Sequence, residues 1–302
     1  MNYQKYKKQL LNLLIDEVQK ATGKRWEDGL SAPKKVRRPH ILPLLGDNNN
    51  NKINRANAIR QYMGFDCSPY FDKDFNGLHT YAHHINSSQI TCLMFFSKLI
   101  DKDGHAKREM VEFVQKAFGI DISVEAKCDF EYTEKFAPYD FDADKDGNII
   151  KGYEGTSFDF HIKDENVEIY FEIKLTEPGF HKEKRFKKDR KTKKEIEDKR
   201  HMAKARRYLA KEVAPQFFRE IVKEPAEFLT QYQIYRNIIR VTSNNKYVVF
   251  ISDRNNPMTK QDADSIERVD FHNNVIFITW QQLIPFYPFE LPFQLKAIQS
   301  YK

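Results

Sequence analysis

The spacing of apolar residues changes period along the chain. Tyr3, Tyr6, Leu10, Leu13, Leu14, Val18 and Ala21 recur at helical intervals, and Gly23 follows where a helix would end. A helix over 3–22 is therefore predicted. The next stretch is polar and irregular, with Pro33, Pro39, Pro43 and four asparagines from Asn48 to Asn51, and reads as a loop. Residues 53–63 suit a short helix, and 69–81 carry turn chemistry. Ser87 or Ser88 is placed to N-cap a helix through the apolar run 90–100. Another helix is predicted over 106–118, ended by Gly119.

The period then falls to two. Ile120, Ile122, Val124, Ala126, Cys128 and Phe130 alternate with polar residues, as in a half-buried strand. Residues 138–154 are acidic and contain glycine, as a hairpin or longer loop does. Two further strands are predicted over 156–163 and 167–176. A basic, helix-favouring block and a long helical stretch over 212–240 follow. Late strands are expected over 247–252 and 275–279. Pro285, Pro288 and Pro292 break up the C-terminal part ahead of a short helix. There is no internal repeat and no Pro/Gly/Ser linker. The order favours an α/β core over 81–302 with a helical and loop extension over 1–80, the two forming either separate units or one continuous domain.

Forty per cent apolar and 14% aromatic residues suffice for a sizeable core. No apolar run approaches the ~20 residues of a membrane span. The start of the chain lacks the apolar segment of a secretory signal, so a cytoplasmic protein is expected. Cys67, Cys92 and Cys128 are far apart and form no Cys-x-x-Cys pair, which suits buried thiols. Net charge is +7, but residues 181–207 hold 14 Lys/Arg against 5 Asp/Glu, a local net of +9. Such a block is either a solvated helix face or a phosphate-binding surface.

The residues beside it favour the second. On a strand over 156–163, Phe158, Phe160 and Ile162 share one face and Asp159 points to the other. On the strand over 167–176, Val167, Ile169, Phe171, Ile173 and Leu175 share one face, and Glu172 and Lys174 the other. Pairing the strands brings two carboxylates and an ammonium together. Such an acid–acid–lysine cluster must be hydrogen-bonded, paired or metal-bound, and two close carboxylates repel until a divalent cation joins them. Oxygen ligands suit Mg²⁺, which also holds a phosphate oxygen and acidifies bound water.

Asp159 followed by Glu172-Ile173-Lys174 resembles the signature of the PD-(D/E)xK nuclease superfamily, the fold of many restriction endonucleases. Ser87-Ser88-Gln89, Phe130-Glu131-Tyr132, the run Glu172–Glu177 and, loosely, Gln231–Asn237 are similar to a bacterial branch of it. The resemblance covers residues 80–280. It implies a restriction-endonuclease-like mixed central sheet flanked by helices, Mg²⁺ dependence with Mn²⁺ as a substitute, and phosphodiester hydrolysis. It implies Asp159 and Glu172 as metal ligands and Lys174 as the catalytic lysine. The family's proline is missing, since Phe158 precedes Asp159. Glu131 is either an additional metal-binding acid or an ordinary strand residue. Gln89, Thr176 and Glu177 are candidates for supporting positions. Lys182, Lys184, Arg185, Lys187, Lys188 and Arg190 are the candidate phosphate contacts.

Asp142-Ala143-Asp144-Lys145-Asp146-Gly147 imitates a calcium loop, but its twelfth position is Tyr153 rather than Glu. His83-His84 lacks partners at zinc spacing. No phosphate loop or nucleophile elbow is present. The expected function is a metal-dependent endonuclease acting on nucleic acid, double-stranded DNA foremost, in restriction or phage defence. A homodimer is compatible with cutting two strands. The rival readings are a catalytically inactive nucleic-acid-binding protein with a nuclease-like fold, and a structural protein whose strand acids are incidental.

Overall fold

A computed structural model gives the structure of the protein and describes residues 2–30, 36–46, 51–133, 138–152, 157–180, 182–189, 192, 194–269 and 274–301. Its centre is a five-stranded sheet of β1 (Lys127–Thr133), β2 (Ser157–Lys163), β3 (Glu168–Ile173), β4 (Lys246–Ser252) and β5 (Val275–Thr279), in the order β5-β4-β3-β2-β1. β1, β2 and β3 run antiparallel, whereas β4 and β5 are parallel to β3. The parallel pairing requires a long crossover, and the chain between β3 and β4 supplies it.

Helices cover both faces. Phe160, Ile162, Phe171, Ile173, Leu175, Val249 and Ile251 form one core with α1 (Tyr3–Thr22), α2 (Ser88–Phe96), α3 (Arg108–Phe118) and, near the C-terminus, the helix Phe293–Ser300. Tyr170, Val248, Phe250 and Val275 form the other with α4 (Lys199–Tyr208) and α5 (Tyr232–Ile238). Tyr6, Leu10, Leu14 and Val18 of α1 are all fully buried in the first core, so the N-terminal helix and the sheet share one apolar interior. Burial of each such side chain contributes about 1.5–3 kcal/mol.

Three sequence expectations are revised. The strand expected over 120–131 begins only at Lys127. Upstream, Ser123 donates through its backbone N–H and hydroxyl to the Asp164 carboxylate at the β2–β3 turn. That contact diverts the chain from the sheet and leaves Val124, expected inside, exposed. The basic block is not one helix: Phe186–Lys188 and Glu195–Glu197 pair as an antiparallel hairpin before α4. The expected long helix over 212–240 is three short ones, Gln216–Ile221, Pro225–Thr230 and α5. Pro215 and Pro225 stand at their starts, where a missing N–H is tolerated. A helix α6 (Thr259–Glu267) has no counterpart in the sequence expectations.

The acidic segment forms the hairpin Phe141–Ala143 with Ile149–Lys151. Its calcium-like pattern has a structural explanation. Asp144 caps the turn by accepting from the N–H groups of Asp146 and Asn148, while buried Asp142 is paired with Arg200 and Lys204. The three cysteines are buried and free.

Candidate active site

The strand alternation breaks where the acids sit. Phe130 pairs with Phe160, and both lie on the first core. Two residues along, Tyr132 pairs with Phe158, and both lie on the second. The expectation that Phe158 shares a face with Phe160 is thus corrected. The side changes at Glu131 on β1 and Asp159 on β2, which stand opposite each other at the fold in the ladder. Glu131 takes a positive φ of 51°, strained for a residue with a side chain. Such breaks re-aim side chains at a sheet's working edge.

Asp159 accepts a 2.6 Å hydrogen bond at Oδ2 from the backbone N–H of Ile173. Ile173 lies between Glu172 and Lys174, so the acid of β2 is tied to the end of β3. Lys174 Nζ donates to Glu172 Oε1 at 2.8 Å. Glu172 is 3% exposed and receives two more donors, Gln233 Nε2 at Oε1 (2.5 Å) and Asn237 Nδ2 at Oε2 (3.0 Å). Gln233 and Asn237 are four apart on α5 and so share one helix face.

Burial pushes the Asp159 carboxyl well above the usual range, and the negative charges of Glu172 and Glu131 add to this, with Lys174 opposing. Burial lowers the Lys174 ammonium, but Glu172, Asp159 and Glu177 outweigh it and the net direction is up. Glu131, Asp159, Glu172 and Lys174 therefore form one electrostatic unit. Glu131 Oε2 also accepts from the Ser157 hydroxyl at 3.2 Å and lies 3.3 Å from His79 Nε2. That hydrogen bond raises the His79 pKa, against the opposing effect of burial.

The supporting residues are placed as follows. Gln89 does not touch the acids. It donates to the Gly77 carbonyl and accepts from the His79 N–H, which positions the loop carrying His79. Thr176 turns away to accept from Asn86. Glu177 folds back so that Oε2 accepts from the N–H groups of Leu175 and Thr176. The same strand end is held from α1: Tyr3 and Tyr6 donate to the carbonyls of Thr176 and Leu175, and Trp280 donates to that of Lys174.

Beside Lys174 lies a cleft of about 400 Å³ lined by Lys174, Glu177, Phe180, Lys182 and Gln233, among others. Of the expected phosphate contacts, Lys182 therefore adjoins the acid cluster. Lys184, Lys187 and Lys188 line a second cleft of about 490 Å³ on the Phe186–Lys188 hairpin. Arg185 and Lys187 are paired with Glu197 and Asp198. Arg190 lies outside the described residues. Beneath the first cleft, Asp262 on α6 is fully buried and accepts from the Phe180 N–H. Burial raises its pKa to about 6.

Gln233, Asn237, His79 and Asp262 were missed by the sequence reading. The i, i+4 amide pair within Gln231–Asn237 is the one signal that pointed to any of them. Among the described residues no three His, Cys, Asp or Glu side chains meet as a ready-made metal-ligand group. The acid pair still fits a hard cation, because Mg²⁺ is commonly held by one or two carboxylates plus waters and substrate phosphate. The negative pressure on Asp159 is what such a cation relieves.

A mixed sheet with a β-meander, two parallel strands and helices on both faces is a restriction-endonuclease-like architecture. The chain belongs to the family described as restriction endonuclease associating with ARP, which it matches over residues 21–289. No curated protein and no solved structure matches it. No helix among the described residues is long and apolar enough to cross a membrane.

Proposed function

We propose that the protein is a Mg²⁺-dependent endonuclease of PD-(D/E)xK type that hydrolyses phosphodiester bonds in double-stranded DNA. The observation that carries this is the convergence of Asp159, Glu172 and Lys174 on one side of β2 and β3, in a chain of a restriction-endonuclease family. Asp159 and Glu172 would hold the metal, and Glu131, held by Ser157 and His79, would add its negative charge beside them. The bound cation would supply an acidified water and stabilise charge on the phosphate.

The chain's own groups do the rest. Gln233 and Asn237 fix both oxygens of Glu172 and keep its lone pairs directed. The Ile173 N–H fixes one oxygen of Asp159 and leaves the other for a ligand. Lys174, held protonated by its carboxylate neighbours, is set to stabilise charge on the phosphate oxygens. Lys182 in the adjoining cleft extends the positive surface to the next phosphate. Restriction or phage defence is the role we assign, with a homodimer placing a second centre on the opposite strand. The family's description pairs the endonuclease with ARP, and we extend that association to this chain.

The alternative of a nuclease-like fold that only binds nucleic acid differs in one respect. It gives salt-dependent binding and no metal-dependent product. Incubation of plasmid and linear DNA with Mg²⁺, Mn²⁺ or EDTA separates the two.

A further inference from the structure

Away from the acid cluster lies a cleft whose charged lining, among the described residues, is all positive. It has a volume of about 650 Å³ and is lined in part by Tyr3, Lys7, Lys8, Arg38 and His40, with no carboxylate among the described lining residues. Lys7 and Lys8 stand in the first turns of α1, which carry no acid. None of Lys7, Lys8 and Arg38 makes an ion pair with a described carboxylate.

The opposite wall fixes the backbone that carries Arg38, whose side chain is exposed. Residues Gly29–Leu30 pair with Arg37–Arg38, and Gly29 packs so tightly that a Cβ there would meet the Ile41 carbonyl oxygen at 2.5 Å. Trp26 Nε1 donates to the Pro39 carbonyl at 2.8 Å. His40 reports the resulting field: burial, then Lys7 and Arg38, lower its pKa to about 4. Lys7 is half-buried and Lys8 and Arg38 are exposed, and three clustered cations with no described carboxylate beside them raise the local positive potential that draws in an anion. Tyr3 links the cleft to the acid cluster. Its ring lies under Lys7 Nζ at 6.0 Å, and its hydroxyl donates to the Thr176 carbonyl, two residues beyond Lys174.

We propose that this cleft is a phosphate-binding site that grips the nucleic-acid backbone flanking the Lys174 face. Its assignment to nucleic acid rests on the nuclease reading; the phosphate site itself does not. The test uses the full chain in EDTA, so that binding is measured without cleavage. Wild type is compared with Lys7→Gln/Lys8→Gln/Arg38→Gln, and with Arg38→Gln alone should the triple variant melt early. Affinity for a labelled duplex is followed against salt, and the melting temperature is followed with added inorganic pyrophosphate.

The expected result is a loss of duplex affinity of about tenfold or more, with a salt slope shallower by about 2–3. If duplex binding is unchanged but pyrophosphate stabilises only the wild type, the phosphate site stands and its ligand is a free phosphate compound. If wild type binds no duplex at all, the nuclease reading fails while the pyrophosphate arm still tests the cleft. Equal duplex and pyrophosphate responses in wild type and variant overturn the proposal.

Discussion

The Asp159 carboxylate accepts a 2.6 Å hydrogen bond from the backbone N–H of Ile173, the residue between Glu172 and Lys174. One backbone group thereby sets the distance between the acid of β2 and the acid–lysine pair of β3. The geometry survives only if the ladder folds at Asp159 and Glu131, because a regular ladder pairs this N–H with a carbonyl instead.

Removal of Asn237 tests the support of Glu172. Asn237 is fully buried and donates to Glu172 Oε2. Asn237→Ala should weaken Mg²⁺ binding about 10–100-fold and cost about 1–3 kcal/mol of stability. Calorimetric Mg²⁺ titration checks the first and urea unfolding the second. An unchanged metal affinity would show that Glu172 needs no orienting donor.

Tyr6 ties α1 to the strand end. Its hydroxyl lies 2.7 Å from Asp253 Oδ2 and 3.2 Å from the Leu175 carbonyl oxygen. Asp253 is fully buried. Tyr6→Phe should lower stability by about 1–3 kcal/mol, since it strands a buried acceptor. A urea midpoint identical to wild type would refute this.

Gly179 is confined by backbone and space together. Its φ is +88°, and a Cβ would stand 2.6 Å from Asp262 Oδ2. Gly179→Ala should destabilise by about 1–3 kcal/mol and displace Lys182, weakening DNA binding as well. Equal melting temperatures would contradict the packing described.

Asp262 gives a pH dependence with a defined sign. Its folded pKa of about 6 lies above the ordinary value of 3.8, so the folded state holds the proton more tightly. The associated stabilisation is complete only well below the unfolded pKa of 3.8 and is lost as pH rises through 6. It amounts to about 3 kcal/mol. The stability of wild type relative to Asp262→Asn should fall by about 2 kcal/mol between pH 4 and pH 7. Parallel pH profiles would remove Asp262 from the account.

The sequence carried the strands of the centre and their residues well. Period-two alternation placed Ile169, Phe171 and Ile173 inside and set Glu172 and Lys174 opposite, as found. It mis-assigned Phe158 because alternation assumes an unbroken ladder, and the break at Glu131 and Asp159 is a three-dimensional event. Gln233 and Asn237 reach Glu172 across about 60 residues of chain, a separation that periodicity cannot bridge. The basic block misled because Lys and Glu favour helices weakly, whereas the Phe186–Lys188 hairpin is set by cross-strand pairing and its ion pairs.

The most direct measurement is cleavage of supercoiled plasmid with Mg²⁺ or EDTA by wild type, Asp159→Asn and Lys174→Ala, each checked for cooperative unfolding. The account predicts Mg²⁺-dependent nicking or linearisation by wild type, abolished by EDTA. It predicts at least about 100-fold slower cutting by both variants with their folds intact. Full cleavage by folded Asp159→Asn protein would contradict the assignment of the centre.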